Sequence, residues 1–263
     1  MNRFWSILFF LVPILAVLTF LLAQFQLWPF EDVWFSDSWS DAGKTIDSIF
    51  NGIHILSAAI LLGTVLTIGW IIWKFDHRRF EEGSKAAYFS HNTTLELVWT
   101  AVPAVILVGL AFVQMNSWAE NKMDRPMIES GGVQVEAPPT LLVKAKQFGW
   151  EFHYPGADGI LETEDDLYIE NLMVVPEKTD IVMQLESRDV IHSFFVSDLR
   201  LKQDVVPGMI QYAWFNANRS GELEILCTEL CGWGHYKMNA KLRIVPAAEY
   251  KQWLAKLQSE YYP

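Results

Sequence analysis

The sequence predicts a membrane-anchored all-β protein, in which N-terminal transmembrane helices precede a small β-barrel or sandwich closed by a helix. Two observations predict this fold class. The 263-residue chain is 51% hydrophobic and 19% charged, with its apolar residues concentrated before residue 120, whereas later apolar residues alternate with polar ones. Two cysteines are too few for a disulfide scaffold, and a net charge of −11 argues against a general nucleic-acid binder.

Three long uncharged stretches predict the transmembrane helices. They cover residues 4–30, 53–73 and 97–118, and each is long enough to supply the ~20 apolar residues that cross a bilayer core. Three such helices would need a very large core in a soluble protein, so membrane spans are favoured. Tryptophans lie near the ends of the second and third stretches, where amphipathic rings prefer the headgroup layer: Trp70, Trp73, Trp99 and Trp118.

The first stretch has two interpretations. Residues 1–30 begin with Met1-Asn2-Arg3 and an apolar run, as a secretory signal peptide does. The run is longer than a usual signal core, and Leu21-Leu22-Ala23 is a poor match to a cleavage site. We therefore expect a retained N-terminal helix, with a cleaved signal peptide as the alternative.

Loop charge predicts the orientation in the membrane. The loop at 31–52 carries five acidic residues and one lysine, whereas the loop at 74–94 carries a basic cluster that includes Arg78 and Arg79. Because short cytoplasmic loops collect lysine and arginine, residues 31–118 should form a helical hairpin whose loop near 74–94 is cytoplasmic. This orientation predicts a multi-pass membrane protein whose N-terminus is inside and whose chain after Trp118 is outside.

The outer domain begins after a linker. Residues 119–139 are assigned to the linker, because three prolines and two glycines fall within them. From 140 to 263, period-two runs such as Ile181–Leu185 predict strands, and pairs such as Pro207-Gly208 predict the turns between them. Residues 248–257 predict a terminal amphipathic helix.

One short segment predicts a metal site: Cys227-Thr-Glu-Leu-Cys231-Gly-Trp-Gly-His235-Tyr-Lys-Met238. Thiols, an imidazole and a thioether favour copper over magnesium or calcium. His192, which ends a strand-like run, is the candidate for a second imidazole. A disulfide between the cysteines and a zinc site are the alternatives, and zinc is disfavoured because no second Cys or His pair follows. The other histidines are weaker candidates: His54, His77, His91 and His153.

Four further motifs accompany this segment: Glu96-Leu-Val-Trp99-Thr-Ala-Val-Pro103, Gln147-Phe148-Gly149-Trp150, Asp189-Val-Ile-His192-Ser193 and Leu201-Lys202-Gln203-Asp204-Val-Val-Pro207-Gly208. With them, residues 52–257 resemble subunit II of the haem–copper oxygen reductases, the cytochrome c oxidase family. The resemblance implies that residues 140–263 form a cupredoxin-like Greek-key β-barrel carrying CuA, a centre of two copper ions. It also implies that this barrel lies on the periplasmic side of a bacterial-type inner membrane.

The resemblance also implies the ligands. Both cysteine thiolates would bridge the two ions, and each imidazole would bind one ion. The Glu229 side chain would bind magnesium at the interface with the catalytic subunit, since a hard carboxylate suits that ion. The full CuA set would be His192, Cys227, Glu229 through its backbone carbonyl, Cys231, His235 and Met238.

The implied function is electron input to a proton-pumping terminal oxidase. Cytochrome c, or a cytochrome c domain, would reduce CuA, and the electrons would pass to haem in catalytic subunit I, where haem and CuB reduce oxygen to water. The chain would thus belong to a cytochrome c oxidase, with the oxygen chemistry in another chain and further oxidase subunits as partners. The alternatives are a quinol oxidase subunit II and a membrane-anchored copper-binding protein.

Three more residues receive roles from the resemblance. Glu96, at the cytoplasmic start of the third span, matches a glutamate at the mouth of a proton-uptake channel; an acid favoured by the helix dipole is the plain alternative. The family usually has a tryptophan, proposed as the point where electrons enter, at the position of Phe148. Phe148 and Trp150 are therefore both candidates for that point, and a packed strand face is the alternative.

Overall fold

The computed structural model describes residues 2–31, 34, 36–76, 83, 85 and 87–261. Three helices in it are long and apolar enough to cross a membrane: α1 (Asn2–Gln24), α2 (Asp41–Lys74) and α3 (Thr93–Lys122). Each predicted stretch is helical over most of its length. Eight residues of the predicted cytoplasmic loop lie outside the described residues, and they include His77, Arg78 and Arg79.

Two of these helices begin before their apolar runs, because polar side chains cap them. The Ser40 hydroxyl accepts a hydrogen bond from the Gly43 amide (3.0 Å), so α2 starts at Asp41, inside the stretch predicted as an outer loop. The Asn92 side chain accepts one from the Leu95 amide (3.1 Å) at the start of α3. Such caps satisfy amides that have no partner in the first helical turn.

Twelve strands occur in the described part of the chain: β1 (Met127–Ser130), β2 (Val133–Glu136), β3 (Leu141–Lys146), β4 (Gly149–Tyr154), β5 (Leu167–Glu170), β6 (Leu172–Pro176), β7 (Asp180–Ser187), β8 (His192–Val196), β9 (Leu201–Val205), β10 (Gln211–Asn216), β11 (Gly221–Cys227) and β12 (Asn239–Val245). Ten of them form two sheets, with the orders β10-β7-β3-β4-β5 and β6-β12-β11-β8-β9. Strand β3 pairs in parallel with β7, and β12 with β6, whereas the other pairs are antiparallel. Pairing between strands distant in sequence fits a Greek-key barrel.

The two sheets share one apolar core. Its largest fully buried side chains are aromatic: Trp150, Phe152, Tyr154 and Phe194. The Tyr154 hydroxyl donates to the Val174 carbonyl (3.1 Å) and accepts from its amide (2.8 Å), so this buried polar group is satisfied. Helix α4 (Ala247–Tyr261) contains the predicted terminal helix and places Trp253 5.2 Å from the Tyr154 ring.

The stretch predicted as a linker contains regular structure. Strands β1 and β2 pair there as an exposed hairpin, and α3 extends into it as far as Lys122. Gly131 and Gly132 connect the two strands with φ angles of 60° and 82°, and hairpin turns need such positive values. The Gly-Gly pair is the sequence signal for this hairpin. The prolines on either side of it favoured a linker without regular structure.

The described chain divides into two compact units, and the barrel unit includes residues 37–47 as well as the chain from Met115 onward. Within that unit, the Arg200 guanidinium makes two hydrogen bonds to the Asp47 carboxylate (2.7 and 3.0 Å). The Trp39 ring covers Gly221, where an added Cβ would lie 2.5 Å from the ring. Residues 37–47, predicted as part of an outer loop, are therefore a structural part of the barrel.

Candidate metal centre

Two chain segments bring the candidate ligands to one end of the second sheet. Strand β8 begins at His192 and β11 ends at Cys227, and these antiparallel strands pair directly. After Cys227 the chain leaves the sheet and returns at Met238, whose carbonyl accepts a hydrogen bond from the Cys227 amide (3.1 Å). We call residues 227–238 the ligand loop. This backbone hydrogen bond joins the two ends of the ligand loop and keeps both of them beside His192.

The six candidate ligands form one continuous set of donor atoms. The Cys227 sulfur lies 3.9 Å from His192 Nδ1, 3.9 Å from the Cys231 sulfur and 3.2 Å from the Glu229 carbonyl oxygen. The Cys231 sulfur lies 3.7 Å from both His235 Nδ1 and Met238 Sδ. The structure thus brings together every residue that the resemblance named for the copper centre.

The spacing and the chemistry of these donors fit a soft metal ion. Ligands about 2.3 Å from a tetrahedral metal ion are about 3.8 Å apart, close to the 3.9 Å between the two sulfurs. Both cysteines are free, and their sulfurs are far beyond the ~2.05 Å of a disulfide bond. Thiolate, thioether and imidazole together favour copper. The cysteine pair therefore fits metal binding and not the disulfide alternative.

Most of the site is screened from water. His192 is fully buried, and Cys227, Cys231 and Met238 are buried, whereas His235 is half-buried. Glu229 is exposed, although its backbone carbonyl faces the Cys227 thiol. One residue therefore offers a carbonyl to the buried donor set and keeps a carboxylate near the surface.

The two thiols have opposite electrostatic environments. Burial acts to raise the pKa of Cys227, but the adjacent His192 imidazole and neighbouring backbone groups stabilise the thiolate, outweigh burial and lower the pKa of that thiol. Burial raises the pKa of Cys231, and the charge on Cys227 raises it further. Cys227 therefore ionises first, and the Cys231 proton leaves when a metal ion displaces it.

Asp189 fixes the orientation of His192. Its Oδ1 accepts a hydrogen bond from His192 Nε2–H (2.7 Å), and its Oδ2 accepts one from the Gln147 amide (2.7 Å). Because Nε2 carries the proton, Nδ1 has a free lone pair that faces Cys227 and is available to a metal ion, as in other carboxylate–histidine–metal arrangements. The Gln147 side chain also donates to the Cys231 carbonyl. Gln147 thus links the two ligand-bearing segments, a role that sequence reasoning missed.

The aromatic residues near the site differ in exposure. Trp150 is fully buried, with its ring 6.2 Å from that of His192, so a protein docked at the surface cannot touch it. Phe148 is half-buried, and its ring meets the Trp233 ring edge-on at 5.6 Å. Trp233, in the ligand loop, is 79% exposed. Of the two predicted candidates for electron uptake, Trp150 therefore cannot be the surface contact.

The remaining predicted residues lie away from the donor set. Glu96 is exposed in the first turn of α3, where its carboxylate accepts a hydrogen bond from the Asn92 amide (3.3 Å) and so helps to cap the helix. His54 Nδ1 is 2.8 Å from a carbonyl oxygen one helical turn earlier, and His153 Nε2 is 3.4 Å from a carboxylate on its own strand. These two imidazoles therefore have hydrogen-bond partners within the protein and need no metal ion to satisfy them.

Apolar helices, a cupredoxin-like barrel and a buried sulfur–imidazole donor set define a class of membrane-anchored proteins with a candidate copper domain. Two family models identify the family within it. Residues 140–245 match the model described as "Cytochrome C oxidase subunit II, periplasmic domain", and residues 26–116 match "Cytochrome C oxidase subunit II, transmembrane domain". The chain belongs to the cytochrome c oxidase subunit II family. The predicted resemblance, the fold class and the membrane location with a periplasmic barrel are confirmed.

Known relatives are named as cytochrome c oxidase subunit 2. The alternative cytochrome c oxidase subunit 2 of Bradyrhizobium diazoefficiens is 29% identical over 234 residues, covering 80% of this chain and 79% of the relative. Cytochrome c oxidase subunit 2 of Cereibacter sphaeroides is 29% identical over 258 residues, which cover 87% of this chain and 81% of the relative. The crystal structure of the periplasmic domain of subunit II (CoxB) of Bradyrhizobium japonicum is 28% identical, covering 48% of this chain and 97% of that one, with a TM-score of 0.43. The chain is therefore a subunit of a cytochrome c oxidase, as predicted.

Proposed function

We propose that this chain is the electron-input subunit of a proton-pumping terminal oxidase in a bacterial-type inner membrane, and that its donor set holds CuA. The electron donor is cytochrome c or a cytochrome c domain, and the acceptor is haem in catalytic subunit I, which reduces oxygen to water. The observation that carries the proposal is the continuous set of donors from His192 through both cysteines to His235 and Met238.

The chain's own residues favour fast electron transfer, because they hold the donor atoms in place. Cys227 and Cys231 would hold CuA together with the other donors, and CuA would supply a centre that accepts and releases one electron. The Cys227–Met238 backbone bond closes the ligand loop, Asp189 orients His192, and Gln147 holds the Cys231 carbonyl. A preorganised site needs little rearrangement when its charge changes.

The charge of the outer domain supports a basic donor. From residue 119 onward the chain carries 22 acidic and 14 basic residues, a net charge of −8. Opposite charge steers a diffusing partner towards its site and makes the association rate fall as salt concentration rises. The rate of donor oxidation should therefore decrease with ionic strength.

Two carboxylates have proposed roles towards the catalytic subunit. The Glu229 side chain is assigned to magnesium at the subunit interface, since the residue is exposed beside the site and offers a hard oxygen ligand. Glu96 is assigned to the mouth of a proton-uptake channel, because acids at the rim of membrane segments are costly and often mark proton routes. Its capping bond to Asn92 also supports the plain structural alternative.

The alternative functions fit the site less well. A quinol oxidase subunit II needs no copper, yet the full donor set is present and convergent here. A free-standing copper carrier must release its metal, whereas these ligands are largely buried and their orientation is fixed by further hydrogen bonds. Neither alternative accounts for both the closed ligand loop and the fixed orientation of His192.

The test uses the oxidase complex purified from membranes with its partner subunits. The oxidised complex should show the delocalised mixed-valence signal of CuA in electron paramagnetic resonance. Cys227→Ser should remove that signal and the CuA copper, because a hydroxyl cannot supply a thiolate bridge. Thr228→Ala, at the exposed neighbouring position, is the matched control and should keep both. A single blue-type copper signal, or a Cys227–Cys231 disulfide in the purified complex, would contradict the proposal.

A further inference from the structure

The ligand loop exposes a large aromatic residue between two of its ligands. Trp233 is separated from Cys231 by Gly232 and from His235 by Gly234, and 79% of it is accessible to solvent. Tryptophan is enriched among the residues that contribute most to binding at the centres of protein interfaces. Trp233 is therefore linked to two candidate ligands through a single residue on each side, and a partner protein can reach its ring.

Neighbouring side chains hold the indole in a defined position. The Phe148 ring meets it at 5.6 Å with an interplanar angle of 68°, and the Lys237 ammonium lies 5.0 Å from its ring centre. Both flanking glycines are needed for this arrangement. A Cβ at Gly234 would lie 2.5 Å from the Phe148 ring, and one at Gly232 would lie 3.1 Å from it. Phe148 therefore packs directly onto the backbone that carries Trp233.

The other aromatic residues of this region are less suited to contact a partner. Trp150 is fully buried, and Phe148 is half-buried against the ligand loop. Tyr236 is as exposed as Trp233, at 82%, but its phenol ring is smaller, and it follows His235 instead of lying between two ligands. Among the described aromatic residues, Trp233 best joins exposure to proximity to both Cys231 and His235.

We infer that Trp233 is the residue at which electrons enter this chain, and that a one-electron haem donor docks on its indole. This inference rests on the proposed function and replaces the role first considered for Phe148 and Trp150. One electron leaves the donor haem iron, which is oxidised by one unit, and the metal site gains it; no covalent bond forms or breaks and no proton moves. Tunnelling falls exponentially with distance, and the backbone through Gly232 or Gly234 provides a short bonded route from the indole.

The test compares three variants of the full oxidase complex: Trp233→Leu, Trp233→Phe and Tyr236→Leu. Electron transfer from reduced cytochrome c is followed after rapid mixing, at donor concentrations that saturate the site. A second measurement gives the affinity of redox-inert, zinc-substituted cytochrome c for the copper-free complex. The CuA spectrum and the oxidation of a small-molecule reductant monitor the site itself. Because both positions are exposed, the substitutions leave the barrel core intact.

Trp233→Leu should slow the saturated transfer rate by about tenfold or more and weaken binding of the inert donor by about tenfold, as expected for loss of an interface hot spot. Trp233→Phe should fall between this variant and the wild type, and Tyr236→Leu should stay within about twofold of wild type. The CuA spectrum should be unchanged throughout. An unchanged saturated rate in Trp233→Leu, with or without weaker binding, overturns the inference while leaving the proposed function intact. Absence of a CuA signal from the wild-type complex overturns both.

Discussion

Replacing Asp189 by asparagine should weaken copper binding while the barrel stays folded. The carboxylate accepts hydrogen bonds from His192 Nε2 and from the Gln147 and Val190 amides, each at 2.7 Å. Asparagine keeps the shape but offers one oxygen and one NH₂ group in place of two oxygens. One of the three donors must then face another donor, and the His192 ring loses its charged partner.

The magnitude follows from two independent estimates. Loss of the outer partner of a metal-binding histidine typically costs about 10–100-fold in metal affinity, which equals about 1.4–2.8 kcal/mol. A hydrogen bond to a charged group contributes about 1.5–3 kcal/mol, in agreement with that range. Because His192 is fully buried, water cannot compensate for the weaker, uncharged acceptor that asparagine offers. We therefore expect the upper part of the range.

Copper affinity can be measured by chelator competition on the full-length chain purified in detergent, with the CuA spectrum as a check on geometry. Asp204→Asn is the matched control, since it also removes a negative charge beside β8. The Asp204 carboxylate accepts hydrogen bonds from the Ser193 hydroxyl and the Lys202 ammonium (both 2.7 Å), and not from a ligand. Wild-type affinity in Asp189→Asn would refute the reasoning. An equal loss in Asp204→Asn would also refute it, because it would show that net charge, and not the bond to His192, sets the affinity.

Three further substitutions test other carboxylates. Glu229→Gln keeps the backbone carbonyl, so copper content should stay near normal while bound manganese or magnesium falls; equal loss of both metals would mean that the side chain supports the copper. Glu96→Ala should slow steady-state oxygen uptake without changing the CuA spectrum or cytochrome c binding, whereas full activity would leave it a helix cap contributing about 0.3–1 kcal/mol. Glu151 is buried and accepts from Lys146 (2.7 Å) and Arg188 (2.6 Å); burial acts to raise its pKa, but these cations outweigh it and lower the pKa. A lowered pKa stabilises the fold above the unfolded value of about 4.3 and ceases to do so as pH falls through the native value. Glu151→Gln should therefore lower the free energy of unfolding by about 1.5–3 kcal/mol at pH 7, with a smaller difference in acid; a thermal-unfolding difference that is independent of pH would contradict this.

The ligands could be predicted because most of their chemistry is local. All but His192 lie within the ligand loop, and their residue types alone favour copper. The long uncharged stretches likewise predicted the helices, since bilayer thickness fixes their length. The support of the site was not predictable in this way. Because β3 and β7 pair in parallel, both strands finish at the same end of the sheet, and there Asp189 meets Gln147.

Burial and long-range packing explain the other differences. Trp150 lies in a strand buried on both faces, so an aromatic motif that resembles a surface site is part of the core. The acidic composition of residues 37–47 is typical of a loop, and their partners Arg200 and Gly221 are far away in sequence. No local pattern could reveal contacts that exist only after the strands have assembled.

The inclusion of residues 37–47 in the barrel unit makes the barrel sensitive to membrane insertion. These residues precede the second and third apolar helices, whereas the strands follow them. The Asp47–Arg200 ion pair and the Trp39 cover over Gly221 can form only if both parts of the chain emerge on the same side of the bilayer. A hairpin inserted with an odd number of crossings would leave Gly221 uncovered and Arg200 without its carboxylate. Completion of the barrel therefore distinguishes correctly inserted chains from misinserted ones, and a soluble fragment that starts after α3 would lack the same cover.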